Sequence, residues 1–217
     1  MAAPFLIRLG QETDVGNLSR IMTDAFAATD PVYPLIWGAS APGTHEMVAV
    51  KGLLSPLQKE GQVTYVAVDT SSQKVVGFAM WNLPRQKIPV GGKGEGIPDI
   101  PGVNIKLLDE KFNGTQKARS RDVDPTTDFS LSLCFVHPEY QRKGVGSLLL
   151  QSGIERAEEV RAKIWLTSTP QAMPTYQKNG WEVKEIHTID LEKYGGKGRY
   201  NRAWMLRLPA QTMHEMA

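Results

Sequence analysis

The chain has 217 residues, of which 41% are hydrophobic and 22% charged, and its formal net charge is +2. This composition can bury a core, so the chain need not be disordered. The mild charge is scattered over nearly equal numbers of basic and acidic residues, so no basic face for nucleic acid is expected.

"PFLIRLG" reads as a first strand, and Val15, Leu18, Ile21, Met22, Ala25 and Phe26 then recur at helical spacing. "TDPVYPLIWGASAPG" contains three prolines and reads as a loop that carries Tyr33 and Trp37. In "THEMVAVKGLLSPLQKEG", Thr44 is placed to cap a second helix and Gly61 to close it. "QVTYVAVDT" and "KVVGFAMWNL" alternate around a turn and form a hairpin.

From Pro84 to Pro125 the chain reads as an insertion. A stretch rich in Gly and Pro leads into one amphipathic helix with Ile105, Leu108 and Phe112 on its apolar face. Lys106, Lys111, Lys117 and Arg119 read as its solvated side. Such a segment is either a surface excursion or an active-site lid. "DFSLSLCFV" is the clearest strand, with Phe129, Leu131, Leu133 and Phe135 on one face and Asp128, Ser130, Ser132 and Cys134 on the other. There follow a helix from about Gly144 to Arg161, the strand "KIWLTST" and a short helix "PQAMPTYQKNG" closed by Gly180. The strands "WEVKEIHTIDL" and "RAWMLRL" flank the turn "YGGKGRYN". This order implies a single α/β domain over residues 1–217, with a mixed central sheet of about seven strands flanked by helices.

Metal and redox chemistry find little support. Cys134 is the only cysteine, so no internal disulfide can form and nothing points to an oxidising compartment. His45, His137, His187 and His214 lie far apart, and "HEMVA" lacks the second histidine of a metal helix, so no metal is expected. The N-terminus has no basic start, and no window approaches the roughly 18 apolar residues of a membrane span. A soluble cytoplasmic protein without membrane partners is expected.

"VHPEYQRKGVGSLLL" carries the chemistry. A helix N-terminus offers unpartnered N–H groups and partial positive charge, so phosphate binds there readily. Gly144 and Gly146 clear the approach to the backbone, Arg142 and Lys143 add charge, and Ser147 adds a hydroxyl. The Walker pattern is absent. A dinucleotide fingerprint is also excluded, because seven residues separate Val136 from Gly144 and Leu149 stands where a third glycine belongs.

These residues resemble the acetyl-CoA loop of the GCN5-related N-acetyltransferases (GNAT), Q/R-x-x-G-x-G/A after a strand ending in V-x-P. "MPTYQKNGWEV" resembles the second signature of that family, and "IDLEKYGGKGRYNRAWMLRL" is similar to the ending of fungal members. The resemblance implies the GNAT fold and an acetyl-CoA-dependent transfer to an amine. It implies that the backbone of Cys134, Phe135 and Val136 pairs with the pantetheine arm, with the Cys134 N–H near the thioester carbonyl. Gln141, Arg142, Lys143, Gly144, Val145, Gly146 and Ser147 would hold the pyrophosphate. Ser168 stands where relatives often place a cofactor-contacting Asn.

Tyr176 would be the general acid at the sulfur, or else a packing residue. Ser130 occupies the place of a Glu found in many relatives. Asp128 is the nearest acid on that face, and a water chain from it past Ser130 and Ser132 would serve as base, unless Asp128 merely starts the strand. Tyr33, Trp37 and Trp81 either line an acceptor pocket or pack in the core. The expected acceptor is the primary amine of a small molecule, attacking directly in a ternary complex, with a monomer or homodimer as the working form. A protein or peptide acceptor and a non-catalytic acetyl-CoA-binding module are the alternatives.

Overall fold

A computed structural model describes residues 3–85 and 99–210, and within them seven strands form one mixed sheet in the order β1-β2-β3-β4-β5-β7-β6. The strands are β1 (Phe5–Leu9), β2 (Gln62–Asp69), β3 (Val75–Asn82), β4 (Phe129–Val136), β5 (Ile164–Ser168), β6 (Glu182–Asp190) and β7 (Arg199–Arg207). All neighbours are antiparallel except β4 and β5. The helices are α1 (Val15–Thr29), α2 (Tyr33–Trp37), α3 (Thr44–Ala49), α4 (Ile105–Phe112), α5 (Thr115–Asp122), α6 (Val145–Glu159) and α7 (Met173–Lys178).

Each sheet face has its own core. On one face, Leu149, Leu150 and Ile154 of α6 pack on Trp81, Leu131 and Leu166. On the other, Leu18, Ile21 and Met22 of α1 and Ala49 of α3 cover Val66, Phe78 and Met80. The helices between β3 and β4 complete that second face. Leu107 and Leu108 of α4 join Val32, Ile36 and Tyr200, while Ala118 of α5 joins Trp165 and Trp204. Burying a Leu or Ile side chain contributes about 1.5–3 kcal/mol, so the described part of the segment is anchored as core. Among the described residues no helix is long and apolar enough to cross a membrane.

Several expectations are corrected. "VYPLIW" forms a helix, α2, because Pro34 sits in its first turn, where a missing N–H costs no hydrogen bond. The second expected helix is shorter: α3 runs into a π-helical turn over Val50–Leu54 and then stops. Gly43, at φ +80°, takes the capping position; Thr44 Oγ1 instead donates backward to Ala41 O at 2.6 Å. Gly61 serves a turn at φ +68° that leads into β2. The inserted segment carries two helices, with Phe112 exposed and Lys111 buried. Its glycine-rich start, 86–98, and His214 lie outside the described residues.

The most consequential correction is in β4. Met80 pairs with Leu133 but Trp81 pairs with Leu131, so Ser132 is an extra residue, a β-bulge. The bulge turns the alternation over. Phe129 and Leu131 pack toward α6, whereas Leu133 and Phe135 pack toward α1 and Cys134 and Val136 toward α6. The four apolar residues expected on one face therefore feed two cores.

Trp81 is corrected too, being fully buried under α6 rather than lining a pocket. A Cβ added at Gly153 would lie 2.3 Å from its ring. Gly→Ala inside a helix ordinarily stabilises by roughly 0.5–1 kcal/mol; here the clash reverses the sign. Gly153→Ala is expected to lose about 1–3 kcal/mol, read as a melting temperature lower by several degrees.

Candidate active site

Only Phe129–Leu131 and Ile164–Leu166 pair between β4 and β5. Beyond them the strands part, while β3 continues to hold β4 as far as Val136. The open edge of β4 can therefore lend its backbone N–H and C=O groups to a ligand, as any unpaired strand edge can. A cleft of about 550 Å³ fills the gap, walled by Ser132–Val136, Thr167 and Thr169, the start of α6, α7 and the end of α1.

Its outer end is the turn before α6. Gly144 caps the helix at φ +84°, and the ladder begins with Leu148 N–H donating to Gly144 O at 3.0 Å. The N–H groups of Val145, Gly146 and Ser147 thus have no intrahelical partner and carry the helix's partial positive charge. Gly146 and Ser147 line the cleft, and a Cβ at Gly146 would approach only Thr175 and Val136, at 3.8 and 4.0 Å. Two side chains brace this end: Gln141 Nε2 donates to Val136 O at 3.1 Å, and Asn179 Nδ2 to Ser147 Oγ at 3.0 Å.

Midway, Tyr176 on α7 neighbours Cys134 on β4. Burial pushes the Cys134 thiol up to about 12 and holds the Tyr176 phenol well above its usual 10, the thiol adding to the second effect. At neutral pH both therefore keep their protons.

The inner end is ionic. Lys111 Nζ lies 2.7 Å from Asp30 Oδ2, which also accepts from Tyr200 Oη at 3.1 Å. Arg202 donates to the Lys111 carbonyl and to Thr167 Oγ1. Asp30, Lys111 and Arg202 all line the cleft, although none is more than 6% exposed. Burial is the main influence on both cations and lowers their pKa values.

Sequence comparison agrees with this geometry: a family model described as an acetyltransferase (GNAT) domain matches residues 118–190, which include β4, the turn before α6 and Tyr176. The chain carries a match to the GNAT acetyltransferase domain over these residues. It is an acyltransferase of that kind. A search of curated proteins finds no match. Among solved structures, the fold is shared with a histone acetyltransferase HPA2 and related acetyltransferase from Corynebacterium glutamicum, at 18% identity, TM-score 0.58 and coverage of 97% of this chain and 99% of that one. It is shared with the ribosomal-protein-S18-alanine N-acetyltransferase of Escherichia coli, at 15% identity, TM-score 0.54 and coverage of 98% and 99%. PaiA N-acetyltransferase from Thermoplasma acidophilum, in complex with coenzyme A, aligns at 14% identity and TM-score 0.55 over 96% and 99%.

In this GNAT cleft the structure brings together Cys134, Phe135, Val136, Gln141, Arg142, Gly144, Gly146, Ser147 and Tyr176. Lys143 is exposed, with Nζ 5.0 Å from the Tyr140 ring centroid, and Val145 is buried under the helix. Ser168 is 1% exposed and donates to Thr169 O, so Thr167 and Thr169 face the cleft in its stead. Asp128 is tied down at the strand start. Its oxygens accept from the N–H groups of Asp124 at 2.9 Å and Lys163 at 3.1 Å, and it lines a separate cavity of about 400 Å³ with Ser130. Asn82 stands between the two cavities, donating to Ser130 Oγ at 3.1 Å and Ser132 Oγ at 2.7 Å. Both hydroxyls past which the expected water chain would run are thus bonded to this amide.

Tyr33 and Trp37 stand behind the wall. Their rings lie 5.2 and 4.7 Å from His45, and Tyr33 stacks on Phe26, which does line the cleft. Asp30, Lys111 and Arg202 carry no local signal in the sequence, since charged neighbours surround Lys111 in α4 and arginines end β7 on both sides. Among the described residues no group of three or more His, Cys, Asp or Glu could hold a metal ion.

His45 gives this wall a pH dependence. Burial, helped by Lys111, lowers its pKa to about 4, and Nδ1 lies 2.7 Å from Thr23 Oγ1. The unfolded chain binds this proton near pH 6.5, so between pH 6.5 and 4 it holds more protons than the folded one. Stability is therefore complete above pH 6.5 and lost as pH falls toward 4. Urea melts at pH 7 and pH 5 are expected to differ by about 1–2 kcal/mol from this group, and His45→Gln should flatten that difference.

Proposed function

We propose that the chain transfers the acetyl group of acetyl-CoA to the primary amine of a small molecule, by direct attack within a ternary complex. The observation that carries this reading is the single cleft, which runs from the start of α6 to a deep inner end lined by Asp30, Lys111 and Arg202. The glycine-lined outer end suits a pyrophosphate, with room beside Gly146, and the free edge of β4 suits the amide-bearing arm. The inner end suits the acceptor. Its walls come from α1, α4, β5 and β7, and nearly buried side chains leave little place for a polypeptide.

The residue roles follow from charge. An alkylamine of pKa near ~10.4 is neutral in about one molecule in a few thousand at pH 7, so its proton must pass to water in the cleft before attack. The new C–N bond puts negative charge on the carbonyl oxygen, where the Cys134 N–H donates. As the C–S bond breaks, Tyr176 supplies the thiolate's proton, the attacking nitrogen gives its extra proton to water, and Tyr176 is re-protonated from solvent. The bulge at Ser132 turns Cys134 toward Tyr176, on the α6 side.

A protein acceptor is the second reading, favoured by the histone and ribosomal-protein acceptors for which the Corynebacterium and Escherichia proteins are named. Turnover of a panel of simple amines against histone and ribosomal-protein peptides decides between them; faster transfer to peptides overturns the first.

Two variants test the roles. Gly146→Glu should fold, since a Cβ there meets only ordinary contacts, yet should lose acetyl-CoA binding in calorimetry through bulk and like charge. Tyr176→Phe should lower kcat on the order of 10²-fold with acetyl-CoA affinity nearly unchanged, as for a contact made mainly in the transition state. A loss below about threefold, with chemistry rate-limiting, would return Tyr176 to a packing role.

A further inference from the structure

Two cations and one carboxylate meet at the inner end of the cleft, and the carboxylate is already committed. Asp30 Oδ2 receives Lys111 Nζ and the Tyr200 hydroxyl, and Oδ1 receives the Val32 N–H at 3.0 Å. Arg202, 4% exposed, is left with neutral partners only. Nη1 donates to the Lys111 carbonyl, Nη2 to the Thr167 hydroxyl, and the guanidinium carbon lies 4.7 Å from the Phe112 ring centroid. Its Nε is buried without a hydrogen-bond partner. A guanidinium has five N–H donors in a planar fork, so these two bonds leave donors over. Asp30 acts on this guanidinium as a nearby charge but not as a hydrogen-bond partner; a buried cation whose direct bonds are all to neutral groups is costly, and an anion arriving from the cleft would relieve that cost.

The other cleft cations, Arg142 and Lys178, flank the outer end, so Arg202 is not needed for the phosphates of the acyl donor. Between Arg202 and Cys134 the wall includes Phe26 and Phe112, which suit a short carbon chain. We propose that the acceptor carries a carboxylate as well as its amine, and that Arg202 receives this carboxylate while the amine faces the thioester beside Cys134. The carboxylate is a handle and is unchanged by the reaction. This rests on the small-molecule reading above. It also explains why an arginine that clamps α4 to β7 should face a cavity rather than sit sealed in the core.

The test uses the full-length wild-type enzyme with acetyl-CoA and pairs that differ only in the handle. Glycine, β-alanine, γ-aminobutyrate, ε-aminocaproate, leucine and phenylalanine are each compared with the corresponding carboxamide. At least one pair should favour the carboxylate by about 10- to 100-fold in kcat/KM, the range for a charge-assisted bond that replaces a neutral one. Arg202→Gln should bring that ratio close to one, and Arg202→Lys, which keeps the charge but loses the fork, should fall between. A residue that only clamps α4 would change rates without moving the ratio. Should either variant fail to melt cooperatively, the wild-type ratio and competition by simple carboxylates decide. Propionate or butyrate should inhibit competitively against the amine and not against acetyl-CoA. Acetylation of the amines with no carboxylate preference in any pair overturns this inference and leaves the proposed function standing. Transfer to peptides with none to any small amine overturns both.

Discussion

Everything functional in this chain depends on β4 being held firmly on one side and released on the other. β3 pairs with it from Ser130 to Val136 around the bulge, whereas β5 lets go after Leu131. A sheet gains free energy from each cross-strand pair, so such a gap persists only if something else fills or braces it. Here the brace is side-chain packing. Tyr176 and Trp181, 5.9 Å apart, pack beneath the gap, and Asn179 ties α7 to the start of α6. The bulge at Ser132 falls at the parting point and rotates the strand's outer half. One inserted residue thus sets which side of β4 meets the cleft.

That rotation marks the limit of what the amino-acid pattern could show. The strands and α6 were legible because apolar residues recur at periods of 2 and 3.6. A bulge leaves the alternation in "DFSLSLCFV" intact on paper while reversing it in space, so the two-core split of Leu131 and Leu133 was invisible. Proline misled in the other direction. Pro34 reads as a breaker, yet in the first turn of α2 it breaks nothing. The geometry of the turn before α6 was legible because its determinants are local. Ser168 was not, since its direction depends on Ile164 and Leu166 taking the α6 face and carrying the serine inward with them.

The inner end of the cleft was illegible for a different reason. Lys111 reads as a solvated lysine on an amphipathic helix, and only the fold brings Asp30 within 2.7 Å. Removing one partner of such a buried pair typically costs about 3–5 kcal/mol, although an apolar pair of the same volume can be just as stable. Stability alone therefore gives little reason for the pair. Its position does, because Lys111 also stands over the Phe26 and Tyr200 rings, at 4.8 and 5.4 Å, and fixes α4 against the wall that Phe26 helps to build.

The two ends of the cleft also differ in how far along the chain their partners lie. The brace from Gln141 to Val136 spans five residues, and that from Asn179 to Ser147 spans 32. The bonds of Asp30 reach 81 residues to Lys111 and 170 to Tyr200, nearly the length of the chain. Closing loops that long costs entropy that short ones avoid. A growing chain that has emerged as far as Asn179 already holds every residue of the turn before α6 and its braces, but it cannot complete the inner end until β7 follows. The order of synthesis therefore leaves the inner end of the cleft until last.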